Sequence, residues 1–229
     1  MVKPDVAAPG TFILAPKASQ FRLPPAAEFE DFEGQYVFLH GTSMAAPQVA
    51  GAAGIIRQYL REKLNITRPS AALLKCLVIA SARRLEPSPG FRELASVGYP
   101  DFEQGYGRLD LGEILPPDTD GAALVHVVDV PNGSPDALAA RQRPGGPRSA
   151  IHTYEFNVAA ATQRPLRIVL SWIDSPGRFV QNDLQLIIAP PGGGRVTGNS
   201  EHRAFRPRFL PEDAPLLDKT NTTESVDFS

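Results

Sequence analysis

Cysteine is almost absent. Cys76 stands alone, so no internal disulfide forms and thiol chemistry assigns no redox compartment. Charge imbalance is missing too. The 23 Lys and Arg residues against 25 Asp and Glu leave a formal net charge of -2, which excludes the basic balance of a nucleic-acid binder or of a protein held on an anionic membrane. No long hydrophobic run occurs. The longest, Val49 to Ile56, is well short of the roughly 18 residues that a membrane span needs. The opening "MVKPDVAAPG" has no apolar stretch of the signal-peptide kind, and the sequence is read as a soluble one. Proline and glycine are plentiful instead, at 23 and 19 residues. That composition argues against a helical bundle and for loops and strands. The 229 residues are 42% hydrophobic and 21% charged, which suits one large or two modest globular domains.

Texture changes along the chain. To about Leu115 the pattern alternates loops with two helices, "SMAAPQVAGAAGIIRQYLREKL" and "RPSAALLKCLVIASARRL". The first is apolar or small on nearly every face up to Ile56, then turns charged at Arg57, Arg61, Glu62 and Lys63. In the second, Pro69 suits the first turn and Arg83-Arg84 suits the negative end of the helix dipole. "PPDTDG" at 116–121 reads as a linker. Beyond it, "ALVHVVDV", "IHTYEFNVA", "LRIVLSWID" and "DLQLIIA" read as strands, separated by "PNGSPD", "RPGGPRS", "DSPG" and "PPGGGR". Short strands between such turns predict a β-sandwich or jelly roll. N-x-[ST] triplets at Asn65, Asn132 and Asn221 are acceptor sites for glycans only in a secreted eukaryotic protein.

Ser43 draws attention on physical grounds. Gly41 permits a close backbone approach, Thr42 is a good N-cap residue, and Ser43 then falls at a helix N-terminus. Free N–H groups and the positive end of the dipole favour an oxyanion there. Ala45, Ala46, Ala50, Gly51, Ala52 and Gly54 would let the helix lie close against a sheet and hold Ser43 rigid. Pro47 comes near the end of the first turn. A serine-capped structural helix has the same generic features.

The string "GTSMAAPQVAG" decides between them. It resembles the nucleophile motif of the subtilisin-like serine proteases, Gly-Thr-Ser-Met-Ala-x-Pro-x-Val-Ala-Gly, at every fixed position from Gly41 to Gly51. "KPDVAAPG" at 3–10 is similar to the family segment before the serine, and "GYGRLDLGEIL" at 105–115 to the one closing the catalytic domain. "SWIDSPG" and "QNDLQLIIAPPGG" resemble segments of the C-terminal barrel of certain alkaline subtilases. The resemblance implies an α/β fold: residues 1–117 as the C-terminal part of a parallel-sheet, three-layer peptidase domain, and 118–229 as a partial antiparallel β-sandwich or jelly roll. It implies Ser43 as nucleophile and oxyanion donor, Gly41 and Thr42 as the substrate-binding wall beside it, Met44 as an oxidation-sensitive neighbour, and Leu39 and His40 on the leaving-group side. It further implies a polypeptide substrate, no required cofactor, no nucleic-acid or membrane partner, and secretion.

The family's Asp, His and oxyanion Asn come before the "KPDVAAPG" segment, so this sequence is expected to need them from the N-terminal part of such a peptidase domain. His40 is poorly placed as a base, and His126, His152 and His202 fall in the expected barrel. A serine hydroxyl without a base is a weak nucleophile, so the isolated chain is expected to be inactive. Asp174, Asn182 and Asp183 offer oxygen ligands for a structural calcium ion, with turn capping the preferred reading. The alternative to a protease is a non-catalytic relic or binding module whose barrel takes protein or carbohydrate partners.

Overall fold

The structure is a computed structural model. It describes residues 2–20, 31–32, 35–85, 98–115, 125–130, 151–158, 166–177, 180–200, 218 and 220–228. The expected linker at 116–121, the "RPGGPRS" turn, Asn132 and His202 lie outside the described residues.

Helix α1 (Thr42–Glu62) and helix α2 (Ala71–Ala80) form the larger core. α1 turns Ala52, Ile56 and Leu60 inward, at the four-residue spacing that aligns side chains on one helix face. Ile56 and Leu60 meet Leu73, Leu77 and Val78 of α2, together with Ile114. α1 ends where Asn65 takes φ 57 and Ile66 N–H returns to Leu60 O at 2.9 Å, a left-handed stop. α2 starts at Ser70, whose Oγ accepts from Leu73 N–H at 3.0 Å.

Several expectations change here. Thr42 is the first residue of α1, and the N-cap position belongs to Gly41. Pro69 precedes the cap of α2 and is not in its first turn. Arg83 is not a dipole partner. It lies in β4 (Ala82–Arg83), paired with β5 (Arg108–Leu109). The cation at the end of α2 is Arg167, more than eighty residues downstream. Its Nη1 donates to Ile79 O at 3.3 Å and to Ala82 O. The small face of α1 is not buried against a sheet. Ala46, Ala50, Gly51 and Gly54 are exposed, and a Cβ placed on Gly51 or Gly54 would meet nothing within 4 Å.

Strand pairing is sparse and mostly antiparallel. β1 (Ile13–Pro16) and β2 (Asp31–Phe32) flank β3 (Tyr36–Leu39) in a three-stranded sheet. In place of a large parallel sheet, the parallel pairing among the described residues is one bridge, Ala7 beside Arg108. It is closed by Ala7 N–H to Gly107 O at 2.8 Å and Leu109 N–H to Ala7 O at 2.9 Å. A short 3-10 turn, Leu111–Glu113, follows β5.

In the second half, β6 (Leu166–Ser171) pairs with β9 (Thr223–Phe228), and β7 (Ile187–Ile188) with β8 (Val196–Thr197). The described residues show two such ribbons, not a sandwich or jelly roll. Residues 125–130 and 151–158, expected as strands, carry no ladder. Along 151–158 every residue is exposed, Ile151 and Phe156 among them, so among the described residues the period-two pattern has no strand facing its apolar side.

Candidate active site around Ser43

Two stretches far apart in sequence hold the start of α1. Gly41 N–H donates to Gly10 O at 2.7 Å, and Gln48 Nε2 reaches Pro9 O at 2.6 Å. The approach at Gly10 is tight: a Cβ there would stand 2.7 Å from Gly41 O and 3.4 Å from the Ala45 Cβ. Glycine is required for the two segments to touch. Gly41 itself takes φ 135, and Met44 N–H closes back on Gly41 O at 3.0 Å.

Gly41, Thr42 and Ser43 are all exposed. Ser43 is the second residue of α1, where backbone N–H groups have no intrahelical acceptor. Among the described residues neither its N–H nor its Oγ is hydrogen-bonded. The helix dipole adds partial positive charge at the same place. Pro47 supplies no N–H to the carbonyl of Ser43, four residues back, so the first turn is loosely tied at its C-terminal side. Met44 is half-buried next to the hydroxyl.

None of the described histidines stands as a base to Ser43. His40 Nδ1 accepts the N–H of Phe12 at 3.3 Å, and its ring meets the Phe12 ring edge-on at 4.7 Å between centroids. His126 packs near Phe156, and His152 Nδ1 lies 3.4 Å from Tyr154 Oη. Cys76 offers no rival nucleophile. Burial, chiefly, pushes its thiol up to about 12, so it stays protonated, and Sγ faces Val169 O at 3.7 Å.

The calcium candidates are arranged as a turn brace. Burial acts to raise the Asp174 carboxyl, but it is outweighed, and Asp174 is held below the usual carboxylate range by the N–H of Gln181, the side-chain amide of Asn182, and the N–H groups of Ser175 and Asn182. Asn182 Nδ2 donates to Asp174 Oδ1 at 2.7 Å, while Asp183 Oδ1 accepts from Gln185. These donors make the Asp174 carboxylate the acceptor of a tight turn. Among the described residues, no group of three or more His, Cys, Asp or Glu is arranged to hold a metal ion.

Phe12 is a neighbour of the site that neither motif segment announces. The register of β1 on β3, Ile13 opposite Leu39, and its N–H bond to His40 Nδ1 bring it there.

Comparison with known proteins adds family-level information. Residues 1–107 match the model of the Subtilase family. Subtilisin-like protease SBT4.7 of Arabidopsis thaliana is 31% identical over 111 residues, 48% of this chain and 14% of that protein. Subtilisin-like protease SBT1.9 of the same plant is 45% identical over 58 residues, 25% of this chain and 8% of its own length. The C5a peptidase of Streptococcus pyogenes is 30% identical over 135 residues, 58% of this chain and 9% of that protein. The chain thus spans only a small part of these relatives. Residues 1–107 are thus similar to the subtilases, and the similarity covers just under half of this chain.

Proposed function

We propose that this chain carries the nucleophile of a subtilisin-like serine endopeptidase and acts when an Asp, a His and an Asn are brought to it by the N-terminal part of the same kind of domain. The observation that carries this reading is Ser43 itself: exposed, second in α1, with hydroxyl and N–H uncommitted among the described residues, inside a stretch that matches the subtilases. In this reading Ser43 Oγ attacks the scissile carbonyl as the supplied imidazole takes its proton. The oxyanion forms against Ser43 N–H at the positive end of α1. The same imidazole protonates the departing amine, and water then releases the acyl group. Gly41 and Thr42 wall the cleft, Leu39 and His40 border the leaving group, and the substrate is a polypeptide in a secreted setting.

Among the described residues no histidine stands beside Ser43 as a proton acceptor. Loss of a triad member costs about 10⁴- to 10⁶-fold in turnover. The isolated chain therefore gives no measurable peptide hydrolysis and no labelling of Ser43 by a fluorophosphonate. Co-expression with an N-terminal subtilase piece bearing the Asp and His restores both, and Ser43→Ala abolishes them. Strong labelling of the isolated chain at Ser43, or restored cleavage that survives Ser43→Ala, overturns the proposal. Failure of every such pairing to restore cleavage favours the non-catalytic alternative.

A further inference from the structure

Phe12 bears two unfavourable features at once. Its φ is 53, in the left-handed region where a bulky side chain is strained. It is also 72% exposed, among the most exposed large apolar side chains described. Asn or Gly would take that backbone angle with less strain, and any polar residue would avoid presenting a ring to water. Core packing explains neither feature. The ring is nonetheless held. A T-shaped contact joins its ring to that of His40, and the backbone N–H of Phe12 donates to Nδ1 of the same side chain. One step further along the ladder, Ile13 pairs with Leu39. Two residues back, Gly10 O accepts Gly41 N–H, at the cap of the Ser43 helix. Strain at an exposed aromatic, fixed beside the turn that delivers a nucleophile, is better explained by a ligand than by stability.

We propose that the Phe12 ring, braced by His40, is the apolar wall of the subsite that receives the leaving-group side of a peptide, and that it selects substrates with an aromatic or large aliphatic residue immediately after the scissile bond. The inference rests on Ser43 being the nucleophile and on His40 bordering the leaving group. It adds a residue and a substrate preference to that reading. Phe12 offers a ring that is 72% exposed and meets the His40 ring in a T-shaped contact at an interplanar angle of 74°. An incoming aromatic or aliphatic side chain would bury that surface and gain contact at little cost in ordering, because the ring is already held.

The test uses the chain co-expressed with the N-terminal subtilase piece and two pairs of peptides. One pair differs only in Phe or Ser directly after the scissile bond, the other only in Phe or Ser directly before it. The unsubstituted enzyme is expected to favour Phe after the bond by about tenfold in kcat/KM, the scale of a hydrophobic subsite contact. Phe12→Asn and Phe12→Gly both suit a left-handed backbone, and both should bring that ratio close to one without changing the ratio for the preceding position. An unchanged ratio overturns the inference, as does a change confined to the preceding position. So does a lowered melting temperature with selectivity intact, which would assign the ring to packing. Ser43→Ala separates the two levels. Cleavage that depends on Ser43 but ignores Phe12 removes only this inference, whereas cleavage independent of Ser43, or none in any pairing, removes the reading beneath it as well.

Discussion

Glu224 is the side chain most at odds with its surroundings. It lies on β9, fully buried, with Oε2 accepting Leu186 N–H at 2.6 Å and Oε1 without a hydrogen-bond partner. Burial first, then the charges of Asp218 and Asp183, push its carboxyl up to about 8, against the partly compensating Leu186 N–H. At neutral pH the native protein therefore holds a proton there that the unfolded chain has released. The stability tied to this group is complete below the unfolded value of 4.5 and is lost as pH rises through about 8. Asp218 works the other way. Burial would raise it, but bonds from Asn199, Asn221 and Thr220 hold it low, so its contribution is present at neutral pH and is lost as pH falls in the acid range. Urea unfolding measured from pH 5 to pH 9 should show stability declining by up to about 1.4 kcal/mol per pH unit toward the alkaline end. Glu224→Gln keeps an acceptor for Leu186 N–H and should flatten that decline. An equally steep decline in the variant would place its origin elsewhere. Gly105 makes a separate prediction of large effect. Its φ is 61, and a Cβ there would fall inside contact distance of Pro4 O and Asp5 O. Gly105→Ala should cost at least about 2 kcal/mol in the same measurement, since strain and backbone collision add.

The helices illustrate how elements find partners that sequence does not pair. α2 ends in carbonyls that a local cation would ordinarily meet. Arg83 and Arg84 stand at the right spacing, but the chain turns into β4 and carries Arg83 away. Arg167 of β6 takes the place, bonding Ile79 O and Ala82 O while Asp227 of β9 grips its other edge through Nε and Nη2 at 2.7 Å each. Both side chains are largely buried. Arg167→Ala should destabilise the protein by about 3 kcal/mol, because it uncaps α2 and strands Asp227 together, whereas Arg84→Ala should cost well under 1 kcal/mol. Similar losses for the two variants would refute the capping role. α1 gives the opposite sign. Gly51 and Gly54 sit mid-helix with open space around them, so in the isolated chain each change to Ala should raise stability by roughly 0.5–1 kcal/mol. Both helices were legible from composition and punctuation, a small and apolar run up to Ile56 that turns charged at Arg57 and an apolar run introduced by Pro69, while the buried spacing of Ile56 and Leu60 and of Leu73 and Leu77 emerged only with the fold. The exact string from Gly41 to Gly51 made Ser43 legible. Cap positions were not, since they turn on single backbone angles such as that of Gly41. Nor were Phe12 and Arg167, whose roles come from contacts with residues 28 to 88 positions away. The strands expected at 123–130 and 151–159 rest on alternation and on flanking turns, and neither can supply a partner.

Across the whole molecule the two halves meet through a buried polar seam. Tyr106, from the segment before β5, donates to Thr223 O at 2.9 Å and approaches Asn199 Oδ1 at 3.2 Å. Val2 N–H reaches Asn221 Oδ1 at 2.7 Å. Asn199, Asp218 and Asn221 are almost fully enclosed and bonded to one another. That enclosure excludes Asn221 as a glycan site in the folded chain, because its Nδ2 is committed to Asp218 Oδ2 at 2.6 Å. It also bears on a division near residue 117. Satisfied buried networks are costly to open singly, so the seam should tie the unfolding of the helical half to that of the ribbons. The molecule carries its own pair of probes. Both described helices are in the first half, while Trp172, the sole tryptophan, is in the second, buried, with its backbone N–H bonded to Thr222 O at 3.1 Å. Far-ultraviolet dichroism and Trp172 fluorescence should give superimposable urea transitions. Tyr106→Phe removes one donor but leaves Thr223 O bonded to Asn199 Nδ2 at 2.9 Å, so it should shift both curves together by about 1 kcal/mol. Two separate midpoints in the unsubstituted chain, or a shift confined to one probe in the variant, would mean that the halves unfold independently and that the seam is contact without coupling.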